Sequence, residues 1–322
     1  MTKRFPMPMP FGWFAIGYSD ELAISEIKNI YYFDREMVLF RTEAGKVSLI
    51  DPACPHLGAH LGHGGTVQGE SIRCPFHHWQ FDTEGVISDI PYAQRIPAKW
   101  EGKACLKTYS VCEKNNVIWA WYHPEDEAPD HDVIELTEAT DPEWSEPRRY
   151  MWTIKSCPQE IAENGVDKAH FKFVHNMEAV PEGKTTYDGR VRKSSVSGVS
   201  QMVINEAGDE MTVERNVQVV QNGAGQKWTR FSGLIDYLLQ VLVTPVNDEL
   251  VEIRFSYTHP NWPEDSINHM IFDAAVDATN GQTGVEGDIP IWNKKFHHVN
   301  PILCDGDGPV MQFRKYFAQF YI

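Results

Sequence analysis

Between Cys54 and Trp79 the chain reads CPHLGAHLGHGGTVQGESIRCPFHHW, two cysteines and five histidines within 26 residues. Side chains of this chemistry at this density must hold a metal, and a metal fixes the loops that carry it. The ligand-like pairs are Cys54-Pro-His56 and Cys74-Pro-Phe-His77, with 17 residues between them. Two thiolates and two imidazoles suit tetrahedral zinc or an iron–sulfur centre, so the donor set alone leaves both open. Spacing discriminates better. Zinc fingers gather their cysteines in one knuckle and their histidines on one helix, whereas here each loop offers one Cys and one His. That arrangement serves a centre of two unlike irons, with both cysteines on one and both histidines on the other. Pro55 and Pro75 stiffen the loops, and Gly58, Gly62, Gly64 and Gly65 let backbone approach a bound group. Trp79 is placed to cover one side, which leaves His60, His63 and His78 as neighbours rather than ligands.

A chain of 322 residues has room for two ordinary domains. Its 42% hydrophobic and 12% aromatic content can fill their cores. The formal net charge of −16 repels phosphate, which argues against nucleic acid and anionic membrane surfaces as partners. No apolar run reaches the roughly 18 residues of a membrane span, so no integral membrane segment is expected. The opening MTKRFPMPMPFGWF lacks the apolar core of a cleaved signal. Cys105, Cys112, Cys157 and Cys304 read as ordinary buried thiols, and a reducing cytoplasm is the expected compartment.

Short β-rich segments fill the first part: YYFDREMVLFRT, KVSLID and NNVIWAWY. HPEDEAPDHD then marks a boundary near residue 125, which divides the chain into 1–125 and 126–322. SCPQEIAENGVDKAHFKFVH has a helical pattern behind a Ser/Pro entry. Strands follow from about Thr185 to Tyr257. Two late helices are predicted, the first in GDIPIWNKKFHH starting shortly after Gly287 and the second in PVMQFRKYFAQFYI. The fold class is α+β: a small all-β domain, then a domain that mixes sheet and helix.

The helical segment ENGVDKAHFKFVH holds a second constellation, Asn164, Asp167, His170 and His175. Asp167 and His170 are i,i+3 neighbours, so the carboxylate can reach and orient the imidazole. His170 and His175 stand roughly 140° apart on an ideal helix, so they share one ion only where the helix ends or bends between them. On spacing alone, two surface histidines beside an ion-paired aspartate would be an adequate account.

Taken together, these motifs resemble the Rieske non-haem iron oxygenases, and the resemblance spans most of the chain. It implies an N-terminal Rieske domain and a catalytic domain in which an antiparallel sheet grips a helix. Cys54, His56, Cys74 and His77 match the ligands of the [2Fe–2S] cluster, and His170 and His175 those of a mononuclear Fe(II). The third iron ligand of the family sits in a late acidic segment that EGDIPIWNKK matches, which makes it Asp288; Glu286 and Asp273 are the alternatives nearby. Asp167 matches the carboxylate that links His170 to a cluster histidine, His77, of a neighbouring subunit, and Asn164 the amide beside the iron. The resemblance further implies a homotrimer, O2 as co-substrate, and reduction by a ferredoxin or flavin/iron–sulfur reductase, so that NAD(P)H acts only indirectly.

Within the family, DIPIW followed by Gly306-Asp307-Gly308-Pro309, Phe313-Arg314 and Gln319-Phe320-Tyr321 is most similar to 3-ketosteroid 9α-hydroxylases and cholesterol 7-desaturases. The implied reaction is hydroxylation of a hydrophobic small molecule, a steroid or sterol, in a pocket to which IDYLLQVLVTPV and NMEAVP contribute apolar residues. Oxidative N- or O-demethylation of a smaller compound, or sterol desaturation, uses the same iron chemistry. A plain Rieske electron carrier would leave the Asp167/His170/His175 constellation without a use.

Overall fold

The computed structural model describes residues 3–176, 183–204 and 210–322. Of the expected pocket lining, 177–181 lies outside them. The chain divides into one unit of Trp13–Asp132 and a second made of residues up to Gly12 together with Val133–Ile322. The division thus falls seven residues beyond the expected 125, and the N-terminal segment packs with the second unit.

The first unit is all strand: β1 (Gly12–Tyr18), β2 (Ile27–Tyr32), β3 (Arg35–Arg41), β4 (Val47–Ile50), β5 (Thr66–Gln68), β6 (Ser71–Arg73), β7 (Gln80–Asp82), β8 (Ile87–Asp89), β9 (Thr108–Tyr109), β10 (Val111–Lys114) and β11 (Val117–Tyr122). They form three sheets in the orders β1-β11-β10, β2-β3-β4-β9 and β5-β6-β7-β8. YYFDREMVLFRT is two strands rather than one. Phe33 and Asp34 both take φ of 57°, the left-handed pair that closes a two-residue hairpin. Phe is not a turn residue by composition, so the break is hidden in the sequence. Val38 and Phe40 on β3, Ile72 on β6 and Phe81 on β7 point into a core that also contains Cys54 and Cys74.

The second unit contains β12 (Arg148–Ile154), α1 (Pro158–Glu163), α2 (Ala169–Phe173), β13 (Lys184–Asp188), β14 (Val191–Ile204), β15 (Glu210–Asn222), β16 (Gln226–Ser232), β17 (Tyr237–Asn247), β18 (Leu250–Thr258), α3 (Ile267–Asn280), α4 (Val285–Trp292) and α5 (Val310–Phe317). Its seven-stranded sheet runs β12-β18-β17-β16-β15-β14-β13. Strands β13 to β18 form an antiparallel meander, and β12 closes the far edge beside β18.

Alternation decides what this sheet packs against. Tyr237, Leu239, Val241 and Val243 on β17, with Val251, Ile253, Phe255 and Tyr257 on β18, form one apolar face. Phe272 and Val276 of α3 and Val285 and Trp292 of α4 cover it. Helix α3 is not among the expected elements, although its signals are present. Ser266 accepts a capping hydrogen bond from the His269 N–H, and Phe272 and Val276 are one turn apart. Helix α4 begins at Val285, before Gly287 rather than after it. Among the described residues no helix is long and apolar enough to cross a membrane.

Candidate metal centres

The two Cys/His loops are built alike. The first joins β4 to β5, the second β6 to β7. In each, the cysteine carbonyl accepts a bond from the N–H four residues on, Gly58 N to Cys54 O at 2.9 Å and His78 N to Cys74 O at 3.1 Å. Those fourth residues both lie in the left-handed region, Gly58 at φ +77° and His78 at φ +59°. His78 is therefore a turn residue, exposed at its loop tip. Gly62 and Gly65 are required by packing. A Cβ on Gly62 would meet Asn29 Oδ1 at 1.7 Å, and one on Gly65 the Leu61 carbonyl at 2.0 Å.

The loops bring the expected ligands together as two like pairs, cysteine to cysteine and histidine to histidine. Cys54 and Cys74 are both buried and interact. Burial first, with Cys74 adding to it and the N–H groups of His56 and Leu57 opposing, pushes the Cys54 thiol up to about 11. The His56 and His77 rings lie 4.8 Å apart. Trp79 stacks on His56 at 4.4 Å, nearly parallel, and its indole N–H donates to Tyr92 at 2.8 Å. His77 Nδ1 is buried with no hydrogen-bond partner. Two apposed buried thiols and an orphaned imidazole nitrogen leave donor capacity unsatisfied, and a bound cluster would use it. His60 and His63 pair with each other at 4.4 Å. All six cysteines are free: Cys157 is buried, Cys105 and Cys112 are partly buried, and Cys304 is exposed, contrary to the expectation of four buried thiols.

In the second unit His170, His175 and Asp288 come together, their ligand atoms all within 4.8 Å of one another. Helix α2 ends at Phe173. Beyond it the His170 carbonyl accepts from Val174 N at 2.7 Å and from His175 N at 3.4 Å. The second bond spans five residues, which widens the turn and carries His175 back onto the side of His170. Asp288 reaches them from α4, and Gly287 makes the approach possible: a side chain there would meet the Gln282 carbonyl at 2.4 Å and Val174 at 3.4 Å. Asp288 is 5% exposed, and His175 Nε2 lies 3.4 Å from its Oδ2. Neither alternative carboxylate joins them. Glu286 accepts from Gln282 and Asp273 pairs with Arg148.

The orienting group for His170 differs from expectation. Its Nδ1 lies 2.5 Å from the main-chain carbonyl of Asp167, while the carboxylate accepts from the N–H groups of Ala169 and His170. At i,i+3 the carbonyl is nearer the ring than the side chain, which turns back to cap α2. With Nδ1–H donating, Nε2 keeps its lone pair, the form a metal needs. Burial lowers the His170 pKa, favouring the neutral ring; the hydrogen bond to Asp167 and the charge of Asp288 oppose this in part. Asn164 Nδ2 lies 3.1 Å from His170 Nε2 and 2.9 Å from Asp288 Oδ2. His175 Nδ1 is buried without a partner. Two imidazoles and one carboxylate with spare lone pairs suit a 2-His-1-carboxylate iron.

The closing segment holds this site from behind. Every residue of α1 is buried, yet it carries three polar side chains. Gln159 accepts from Tyr321 at 2.9 Å. Glu160 pairs with His297 at 2.5 Å and Lys295 at 2.8 Å. Glu163 takes both Nε and Nη2 of Arg314, at 2.7 and 2.9 Å. Arg314 and Tyr321 of the family-like segment thus satisfy the helix that ends at Asn164. Gly308 touches the same region, where a side chain would strike the Val166 carbonyl at 2.3 Å.

Two cations near Asn164 are absent from the expectations, Arg192 on β14 and Lys227 on β16. Burial lowers Lys227 to about 8, helped by the charge of Arg192 and opposed by Asp288. Burial also lowers Arg192, with Tyr187 and Tyr316 opposing. No local signal marks either residue, because only strand register aligns them.

Residues 12–110 match the Rieske [2Fe-2S] domain, and residues 120–321 the 3-ketosteroid 9alpha-hydroxylase C-terminal domain. The chain is similar to the cholesterol 7-desaturase nvd of Xenopus laevis, 30% identical over 100% of this chain and 74% of the relative. It is also similar to a 3-ketosteroid-9-alpha-monooxygenase oxygenase component of Rhodococcus rhodochrous, 28% identical over 97% and 83% respectively. In fold it is similar to dicamba monooxygenase bound to dicamba, with a TM-score of 0.72 at 15% identity over 98% of each chain.

Proposed function

Because this chain belongs to the Rieske oxygenases whose second domain is of the 3-ketosteroid 9α-hydroxylase type, we propose that it is the terminal oxygenase of a multicomponent monooxygenase acting on a steroid, sterol or similar polycyclic lipid. The observation that carries the reading is the trio His170, His175 and Asp288, the first and last of them buried, in a chain that also pairs Cys54/His56 with Cys74/His77. In this reading the first set holds the iron and the second the [2Fe–2S] cluster. Together the bound metals supply single electrons and O2 reduction, so that one O2, two electrons and two protons convert a C–H bond to C–OH and water.

The chain's own contribution is positioning. The Asp167 carbonyl fixes the His170 tautomer, and the Asn164 amide donates to Asp288 and sets its orientation. Arg314 and Tyr321 hold α1, and with it Asn164. Asp167 acts as the electron gate toward His77 of a second subunit, within a homotrimer, its link to the His170 ring running through its main-chain carbonyl. A ferredoxin or flavin/iron–sulfur reductase is the electron donor, and the cytoplasm, where free thiols persist, is the compartment.

The test is oxygen uptake and product mass with a steroid panel and a surrogate reductase. A product heavier by one oxygen atom is expected. Loss of two hydrogens would make the enzyme a desaturase, a reading favoured by its similarity to the cholesterol 7-desaturases; loss of a methyl group from a smaller compound would make it a demethylase. Reducing equivalents consumed with no member of the panel altered would overturn the steroid reading.

A further inference from the structure

One row of the large sheet has no part in holding either metal. Register sets Tyr187 on β13 opposite Arg192 on β14, Arg192 opposite Gln221 on β15, and Gln221 opposite Lys227 on β16. Directly opposed residues share a face. The pairs Thr229–Leu239 and Phe231–Tyr237 make it the face of the β17 apolar core, the one covered by α3 and α4. Four polar side chains therefore continue an apolar wall inward, toward the helix that carries Asp288.

Arg192 is 1% exposed, yet Nε, Nη1 and Nη2 all lack a hydrogen-bond partner, as do Tyr187 Oη and Gln221 Oε1. Phe313, 5.5 Å from the guanidinium carbon, attracts the cation but offers no in-plane acceptor to its N–H groups. A methyl group placed on Gly165 would lie 3.4 Å from Arg192 Nη2 and 3.7 Å from Lys227 Nζ. Both cationic heads thus converge on one point, one residue from Asn164. Lys227 keeps some solvent-accessible surface although protein surrounds its charged end. Among the described residues no carboxylate pairs with Arg192. The carboxylate whose charge reaches Lys227 is Asp288, and a metal held by Asp288 would claim that charge. A buried guanidinium with no acceptor and a like charge beside it is a costly arrangement unless an anion completes it.

We propose that Arg192 and Lys227 form a subsite for the carboxylate of an acidic hydrophobic substrate, bound with its charged end beside the metal centre. A guanidinium fork and an ammonium suit a carboxylate, and the Tyr187 hydroxyl can donate a further bond. The substrate role rests on the oxygenase reading above; the subsite itself does not.

The test is calorimetric binding of a steroid carboxylic acid and its methyl ester to the metal-loaded protein. The acid should bind at least about tenfold more tightly, as expected for a hydrogen-bonded charge. Lys227→Gln should collapse that ratio, and Lys227→Arg should retain it. Lys227 is only partly buried, so the result does not depend on an Arg192 variant that folds. Equal affinities for acid and ester, or a ratio untouched by Lys227→Gln, overturn the proposal. Inorganic phosphate that displaces the acid at comparable concentration shows a free-anion site and overturns the substrate role. Binding is read without turnover. An acid preference with no steroid oxidised upholds the subsite and sinks the steroid reading, whereas neutral steroids oxidised with no acid preference do the reverse.

Discussion

Replacing Arg314 by methionine removes one half of a buried ion pair and leaves the other half in place. Arg314 and Glu163 side chains are 12% and 6% exposed and meet through two parallel bonds. Methionine keeps most of the stem's packing, so the loss is that of the charged end. An uncompensated carboxylate at such a site costs about 3–5 kcal/mol. At roughly 2–4 °C per kcal/mol for a unit of this size, the melting temperature should fall by about 10 °C. Calorimetry and urea unfolding of wild type, Arg314→Met, Glu163→Leu and the double variant measure the pair as a cycle. The double variant should recover a large part of the loss, because it buries no unpaired charge. Since Glu163 precedes Asn164 at the end of α1, iron content should fall in Arg314→Met before cluster content does. A single-variant cost under about 1 kcal/mol, or strict additivity in the double, would refute the claim that this pair holds the site from behind.

Asp288→Ala should lose iron and keep the visible spectrum and acid-labile sulfide of the cluster; full turnover in that variant would remove Asp288 from the ligand set. Asp167→Ala removes the cap on α2, costing about 1 kcal/mol, and should retain both metals while nearly abolishing turnover; unchanged turnover would end the gate role. Glu160 is fully buried, and burial alone would raise its pKa, but His297 and Lys295 outweigh that and hold it below its usual 4.5. A depressed carboxylate stabilises above its unfolded pKa, and that stability is lost as pH falls through the folded value. His297→Phe should therefore lower stability at neutral pH and flatten its fall below about pH 4.5; an unchanged urea midpoint at both pH values would count against this.

What the sequence by itself determined is chemistry held in short segments. Cys54/His56 and Cys74/His77 occupy two loops of a few residues each, so spacing alone brings each pair together. His170 and His175 are five apart, and their helix had only to end between them. Other features needed tertiary structure. The carbonyl of Asp167 displaced its carboxylate as the group that orients His170, a matter of about one helical turn's geometry that composition does not encode. The Phe33–Asp34 turn was hidden because tertiary packing overrode local preference, whereas α3 carried its signals in the Ser266 cap and the Phe272/Val276 spacing. Asp288 meets the histidines because the bare backbone of Gly287 can pass close to the Gln282 carbonyl as α4 begins. Arg192 and Lys227 face one point only through the register of two strand pairings. Charges on separate strands become neighbours when hydrogen bonds fix which residue stands opposite which, and a slip of one residue would turn each to the other face.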